Sequence, residues 1–353
     1  MFKSIKIKNL RAITDLEINN LGQVNLFVGR NSSGKTTLLE AIFFLIGATN
    51  PKLPVNANTF RGLPFVSNKL WDSYFHNMDP TIPIEIGGQI LATIEEQLLL
   101  IRPHHPKQTE AEPVPVPSDV ASPSFAPGDS ETTRKLDGLE LTYTSSEDPS
   151  NKITSTVFLR NGDLITEGTM ERAIRGIFIN SVTMYDWKDR FAEVQRKKRL
   201  GEVISLLKEI EPNISDLRLN EFGLLEADSD LLKLIPPNLM GGGIAKFLSI
   251  ALAMIVYQNG IVLIDELENG LQHSAQQKIW EAVLNWAQDL NVQVFATTHS
   301  IECVKAFNNS ADTTLFGSQA KLYRIERKDE KFRAVEYTKE LLAESLESNW
   351  EIR

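Results

Sequence analysis

A chain of 353 residues with 42% apolar and 24% charged side chains has the make-up of a globular protein, with room for one large α/β domain or two modest ones. A net charge of −9 excludes a surface that attracts nucleic acid as a whole, so any such contact needs a local basic patch. No apolar run reaches the ~18–20 residues that span a bilayer, and a single cysteine, Cys303, excludes an internal disulfide and points to a reducing, cytoplasmic setting without a membrane.

The opening MFKSIKIKNL alternates lysine with apolar residues, so it reads as a strand and not as a signal peptide. Phe2–Asn9 places Ile5 and Ile7 inward and Lys6 and Lys8 outward, an arrangement that commonly protects a sheet edge. A short strand, Leu16–Ile18, and a turn at Asn20–Gly22 lead to a buried strand, Val24–Val28. Next comes Gly29-Arg30-Asn31-Ser32-Ser33-Gly34-Lys35-Thr36, a complete G-x-x-x-x-G-K-[ST] loop, with Thr37 directly behind it. The following Thr36–Ile46 has helical length and stops at Gly47. Strand, glycine loop and helix in that order form a phosphate-binding site. Backbone N–H groups and the helix dipole would surround the phosphates, Lys35 would reach the β- and γ-phosphates, and the Thr36 hydroxyl would ligate Mg²⁺.

Pro51–Pro83 is irregular, and Trp71, Tyr74 and Phe75 are expected to pack as a satellite cluster. Ile84–Ile101 contains strands, and Pro103–Gly128, rich in proline, serine and acidic residues, is a linker-like insertion. His104 and His105 fall inside it and read as solvated loop residues, not as a metal site. Ordered pattern returns with a strand at Leu139–Thr144, then a hairpin of Ile153–Arg160 and Asp163–Thr166 around Asn161–Gly162. Ile177–Ile179 is a further core strand. Trp187–Ile210 reads as helical, and its Arg196–Arg199 basic run is expected to be a solvated helix face ahead of a phosphate-backbone contact.

In Leu239–Ala253 a glycine triplet, Gly241, Gly242 and Gly243, opens a helix that is apolar nearly all round. Ile261–Glu266 (IVLIDE) is a buried strand that delivers Asp265 and Glu266 at its C-terminal end. Glu268–Gly270 turns the chain into the helix Ser274–Leu290, whose Ile279, Val283, Trp286 and Leu290 share a face. Val292–Ala296 is a buried strand ending in Thr297-Thr298-His299-Ser300, and the tail supplies strands at Leu322–Ile325 and Arg333–Tyr337 and a closing helix. The alternation of strand and helix predicts a mostly parallel sheet. Downstream of a phosphate loop, Asp265 suits a metal-holding carboxylate, Glu266 a base for an attacking water, and His299 a γ-phosphate contact.

Together, GRNSSGKT, LMGGG, IVLIDELENGL and TTHS resemble the Walker A, signature, Walker B with D-loop, and switch-histidine motifs of ABC-type P-loop ATPases. The opening FKSIKIKNLRAITDLEI, a DELENGL without proline and the final NWEIR are similar to the RecF, SMC-head and OLD branch of that class. The resemblance implies an α/β P-loop NTPase head over 1–353, with a mostly parallel sheet plus an antiparallel β subdomain. Residues 1–102 and 131–180 would form the N-terminal lobe, 103–130 the insertion, 181–235 a helical and β segment, and 236–353 the C-terminal lobe. It implies ATP and Mg²⁺ as ligands, catalysis by Lys35, Glu266 and His299, and metal binding by Thr36 and Asp265. It further implies a homodimer in which Gly241–Gly243 of one chain meet the ATP held by the other's phosphate loop, from which they lie far in their own chain.

Met240 stands where the family signature has serine and Gly243 where it has glutamine, so backbone amides, with Lys246, would take over the γ-phosphate contact. In the D-loop, Gln272-His273 replaces the common His-Pro, and Asn180–Ser181, where a Q-loop glutamine is expected, contains none. No stretch corresponds to the Toprim nuclease domain of OLD nucleases. The readings are therefore an ATP-hydrolysing switch acting with DNA or a separate nuclease in repair or phage defence, and, as the alternative, a transporter ATPase subunit. A self-contained nuclease lacks its metal-carboxylate domain.

Overall fold

The computed structural model of the chain describes residues 1–63, 70–105, 136–168, 174–314, 317–328, 331–338 and 341–342. Its elements begin with β1 (Phe2–Leu10), β2 (Ile13–Ile18), β3 (Val24–Val28), α1 (Lys35–Ile46), α2 (Leu53–Phe60), β4 (Ile84–Ile90), β5 (Glu96–His104), β6 (Gly138–Ser145), β7 (Ile153–Arg160), β8 (Asp163–Glu167) and β9 (Gly176–Ile179). They continue with α3 (Lys188–Arg196), α4 (Leu200–Ile210), β10 (Asp216–Leu219), β11 (Leu225–Asp228), α5 (Gly242–Val256), β12 (Ile261–Ile264), α6 (His273–Asp289), β13 (Gln293–Thr297), α7 (Ile301–Thr313), β14 (Ala320–Lys328) and β15 (Lys331–Tyr337).

Two sheets enclose α1. A seven-stranded sheet in the order β2-β1-β4-β5-β6-β7-β8 is antiparallel throughout. A six-stranded sheet in the order β15-β14-β3-β13-β12-β9 is parallel except at the β14–β15 hairpin. The fold is the expected α/β P-loop architecture with an antiparallel β subdomain. Helix α1 is buried along almost its whole length because Leu38, Ile42 and Leu45 join a core fed by both sheets. The other face of the parallel sheet packs on α5, α6 and α7 around Leu248, Trp280 and Phe307. A parallel strand buried on both faces needs no polar alternation, which is why β3, β12 and β13 read as short apolar runs.

Several local readings change. β1 is not an edge strand: it lies between β2 and β4, and Lys6 and Lys8 form cross-strand ion pairs with Glu17 and Glu85 at 3.4 and 3.2 Å. Trp71, Tyr74 and Phe75 belong to the core between the sheets and not to a satellite, since the Tyr74 ring packs on Phe44 and lies under the Arg11 guanidinium. Pro103 and His104 pair with Leu139 and Gly138 as the last residues of β5, so the insertion starts later than its composition indicates. His104 is no solvated loop residue: its ring stacks on Phe158 with centroids 4.7 Å apart, and its Nδ1 lies 2.8 Å from Asp137 Oδ1. The helical stretch 187–210 is broken between α3 and α4 by Lys198 at φ +57°. The basic run at this break is solvated at Arg196 and Lys198, as expected, but Lys197 is turned inward. Lys197 Nζ donates to the carbonyls of Ile255 and Val256 at the end of α5, and Arg196 and Arg199 pair with Glu193 and Glu202. The hairpin at Asn161–Gly162 forms as its sequence requires, with φ of +55° and +91°. His105, half-buried, is the last described residue before the rest of the expected insertion, which lies outside the described residues, as does the closing helix apart from Leu341 and Leu342.

His104 and Gly138 are register partners, and Asp137 N donates to His104 O at 3.2 Å, so the two ends of the insertion already abut. Replacing residues 106–127 by a short Gly-Ser linker is therefore expected to change the melting temperature by less than ~5 °C, since closure entropy varies slowly with loop length. A larger drop in differential scanning fluorimetry would show that the segment packs on the domain.

Candidate active site

The glycine loop between β3 and α1 owes its shape to close approaches. Gly29 has φ +150°, and a Cβ there would lie 2.5 Å from Ile325 O, so no side chain fits. Gly34 at φ +92° caps α1 without a side-chain hydrogen bond, which leaves the first N–H groups of the helix free to face an anion. Arg30, Asn31 and Ser32 form the exposed rim, while Ser33 is buried. Lys35 folds back over the loop, and its Nζ donates to Gly29 O at 2.7 Å and Arg30 O at 3.0 Å. Burial pulls the Lys35 ammonium down to about 8, against the opposing fields of Asp265, Glu266 and Glu268. Thr37 is buried, and its hydroxyl accepts from Arg61 Nη2 at 3.3 Å, so it supports the helix from behind the phosphate side.

β12 lies two strands from β3 in the parallel sheet, and the residues after it return to α1. Asp265 N donates to Ile179 O at 2.9 Å, which fixes the backbone where the strand ends. The Asp265 carboxylate accepts from Thr36 Oγ1 at 3.1 Å and from Thr297 Oγ1 at 2.6 Å. Thr36 and Asp265 thus offer adjacent hard oxygens, the donor chemistry that suits Mg²⁺. Glu266 leaves the strand in a left-handed conformation, φ +47°, with its N–H donating to Thr297 Oγ1 at 2.9 Å. Asn269 Nδ2 donates to one carboxylate oxygen of Glu266, and His299 Nε2 stands 3.9 Å from the other. The backbone of His299 donates in turn to Glu268 Oε1 at 2.6 Å. Burial first, and then the charge of Lys35, lower the His299 pKa below its ordinary value, so its ring is neutral at pH 7.

Two recesses meet at Glu266. One of about 440 Å³ is lined by Asn31, Ser32, Glu266, Glu268, Asn269 and His299. The other, of about 280 Å³, is lined among others by Thr36, Glu40, Arg61, Asn180, Gly242, Lys246 and Asp265. Of the triplet expected to lie far from its own phosphate loop, Gly242 lines a recess that Thr36 also lines. The cause is local: Lys246 Nζ donates to the carbonyls of Asp265 and Glu266 at 3.0 and 3.2 Å, which draws the start of α5 to the end of β12. Gly242 and Gly243 pack against Gly270 of the same chain, whereas Gly241, at φ +130°, faces open space.

Sequence reasoning missed Glu40, Arg11 and Arg61. The buried Glu40 carboxylate accepts from Arg61 Nε at 2.6 Å and from Arg11 Nε at 2.8 Å, which ties α1 to the β1–β2 turn and the end of α2. These residues are separated by 21 and 29 positions, so no local pattern announces them.

A family model described as an AAA domain matches residues 4–234, and a second, described as an AAA ATPase domain, matches residues 184–304. The ATP/GTP phosphatase of Helicobacter pylori is 24% identical over 347 residues, 94% of each chain. The DNA replication and repair protein RecF of Streptococcus gordonii is 46% identical over 43 residues, 12% of each chain. Among solved structures, the SMC head bound to the C-winged helix domain of ScpA superposes with a TM-score of 0.52 at 11% identity, covering 96% of this chain and 98% of that one. Among the described residues, no helix is long and apolar enough to cross a membrane.

Three measurements test these contacts. Glu40→Ala leaves two guanidiniums without their buried counter-charge, and is expected to cost about 3–5 kcal/mol in chemical denaturation. Glu17→Ala at the exposed pair with Lys6 should change stability by less than about 1 kcal/mol. Because phosphate binds the protonated form of Lys35, nucleotide affinity should weaken as the pH rises above about 8, by up to tenfold per pH unit. Titration with a fluorescent nucleotide at pH 7.0–9.5 reads this, and a flat profile would show that Lys35 does not titrate there.

Proposed function

The chain belongs to the AAA-domain family of P-loop ATPases, in its RecF- and SMC-head-like form, and on that premise we propose that it is a Mg²⁺-dependent, ATP-driven dimerising switch. It would act with DNA or a separate nuclease in repair or antiviral defence, within the OLD-like group. The observation that carries the hydrolytic part is the convergence of Thr297, Asn269 and His299 on Glu266, at the rim of the phosphate loop.

In this reading Lys35 and the amides of residues 29–36 hold the β- and γ-phosphates. Thr36 and Asp265 would hold Mg²⁺, which when bound offsets phosphate charge. Glu266 accepts a proton from the attacking water, and neutral His299 hydrogen-bonds the phosphate being transferred. The carboxamide of Asn269 keeps the Glu266 carboxylate aimed into the recess, and Thr297 joins Asp265 and Glu266 through one hydroxyl. Dimerisation is supported by the open face at Gly241 and by Leu239, which is 70% exposed two residues before the triplet. The match to RecF, a DNA replication and repair protein, supports a role close to DNA metabolism, and the overlap with the H. pylori ATP/GTP phosphatase supports nucleotide hydrolysis.

Glu266→Gln should lower turnover at least ~100-fold while ATP stays bound, because it removes the base and keeps the shape. With ATP, but not ADP, this variant should elute at twice the monomer mass in light scattering. Adding Leu239→Glu should return it to the monomer. Gly242→Glu is unsuited to this purpose, since a Cβ there would lie 3.2 Å from Gly270 Cα and disturb the chain's own turn. Wild-type turnover in Glu266→Gln would remove Glu266 from the chemistry, and a monomer at saturating ATP would remove the shared site.

A further inference from the structure

We propose that Lys246 is a positioning residue that holds the backbone of Glu266 in the left-handed turn from which its carboxylate faces His299. The inference rests on the reading of Glu266 as the base. In a strand, successive carbonyls point to opposite sides, so the carbonyls of two consecutive residues reach one cation only where the chain leaves the strand. Here Asp265 O and Glu266 O both accept from Lys246 Nζ, at 3.0 and 3.2 Å, and the residue that makes this convergence is Glu266, at φ +47°. Glutamate has no short side chain to bond its own backbone in that conformation, as asparagine or aspartate has, so the surroundings must hold it. Thr297 holds the N–H of Glu266, Asn269 holds its carboxylate, and Lys246 shares its carbonyl with the Asn269 backbone N–H. The turn has backbone hydrogen bonds of its own, from Asn269 N to Glu266 O and from Leu267 N to Thr297 O, both 3.0 Å, and Lys246 is the contact that ties its two carbonyls to α5.

The cost of this contact argues that it does more than fill space. Lys246 is 2% exposed, in a helix whose neighbouring side chains, Ala245 and Phe247, are buried and apolar. Among the described residues its ammonium has no carboxylate ion pair, and its hydrogen-bond acceptors are the two carbonyls. A cation kept dry with two carbonyls as its hydrogen-bond acceptors is expensive, and the fields of Asp265, Glu266 and Glu268 offset only part of that cost. Packing alone would be served better by methionine or leucine at this position of α5. The placement has a mechanical consequence. Lys246 lies one turn after Gly242, where α5 begins, so a displacement of the glycine triplet reaches Glu266 through one turn of helix and one side chain.

The test is a double-mutant cycle with the full chain. Lys246→Met is expected to lower kcat by about thirtyfold, with KM and the affinity for a fluorescent ATP analogue within about threefold of wild type, the pattern of a misplaced base. Lys246→Arg, which keeps the donors, should recover activity to within about fivefold of wild type. In the Glu266→Gln background Lys246→Met should change the residual turnover by less than about twofold, because the residue it positions has already lost its function. A thirtyfold loss that persists in that background would overturn the proposal, as would a loss of nucleotide affinity matching the loss of kcat or a failure of arginine to rescue. Lys246→Gln, with a single amide donor group, serves if the methionine variant does not fold, and wild-type kcat in it also overturns the proposal. An unchanged kcat in Glu266→Gln itself would instead remove the reading of Glu266 as base, so the two failures are distinguishable.

Discussion

The Asp265 carboxylate is where the architecture closes. It receives one hydroxyl from α1, through Thr36, and one from the end of β13, through Thr297, while its own backbone is pinned to β9 through Ile179. Three separate elements are thereby set against each other within hydrogen-bond distance. The parallel sheet supplies this for a topological reason: β3, β13, β12 and β9 lie side by side, so the loops at their C-terminal ends open on the same edge. Phosphate loop, Asp265–Glu266 and Thr297–His299 are three such strand ends. The site is assembled by the sheet, and the side chains complete it.

The second layer of organisation is the carboxylate of Glu40 on the buried face of α1. It fixes the helix against Arg11 and Arg61, which come from the antiparallel sheet side and from the end of α2. The seven-stranded sheet thus touches the phosphate loop's helix through charge as well as packing. Arg61 also lines the smaller recess with Thr36 and Asp265, so its pairing with Glu40 decides how much positive charge faces that space.

What could be read from the sequence divides along range of interaction. β3, the glycine loop and α1 are contiguous, and their boundaries came within a residue of those observed. The Asn161–Gly162 hairpin was legible because its turn demands positive φ at two adjacent positions. Asp265, Glu266 and His299 were legible as chemistry at strand ends, but their mutual geometry was not. Asn269 and Thr297 look like turn and strand residues until the fold brings them to Glu266. The Glu40 network is invisible because its partners are far apart in the chain. The break at Lys198 was hidden because neither Gly nor Pro marks it, and left-handed lysine is sustained by tertiary contacts that Lys197 makes to α5. The lysines of β1 were misread because strand order cannot be inferred from one strand's pattern.

Charge counting gives the proposed reaction its requirement for a divalent cation. Asp265, Glu266 and Glu268 all act on Lys35, on Lys246 and on His299, and His299 is neutral at pH 7. The Lys246 ammonium is turned to two carbonyls of its own chain, so the cations at the loop are Lys35 and, on its exposed rim, Arg30. A triphosphate entering here meets the carboxylates of Asp265, Glu266 and Glu268 in a partly buried space, where like charges repel more strongly than in water. Loop amides and the α1 dipole supply only partial positive charge. A divalent cation between the phosphates and the Thr36–Asp265 oxygens would reverse that balance, and it would do so at the place where the two oxygens already stand 3.1 Å apart. The charges that set this balance come from residues at three strand ends, so the sheet that assembles the site also sets its electrostatics.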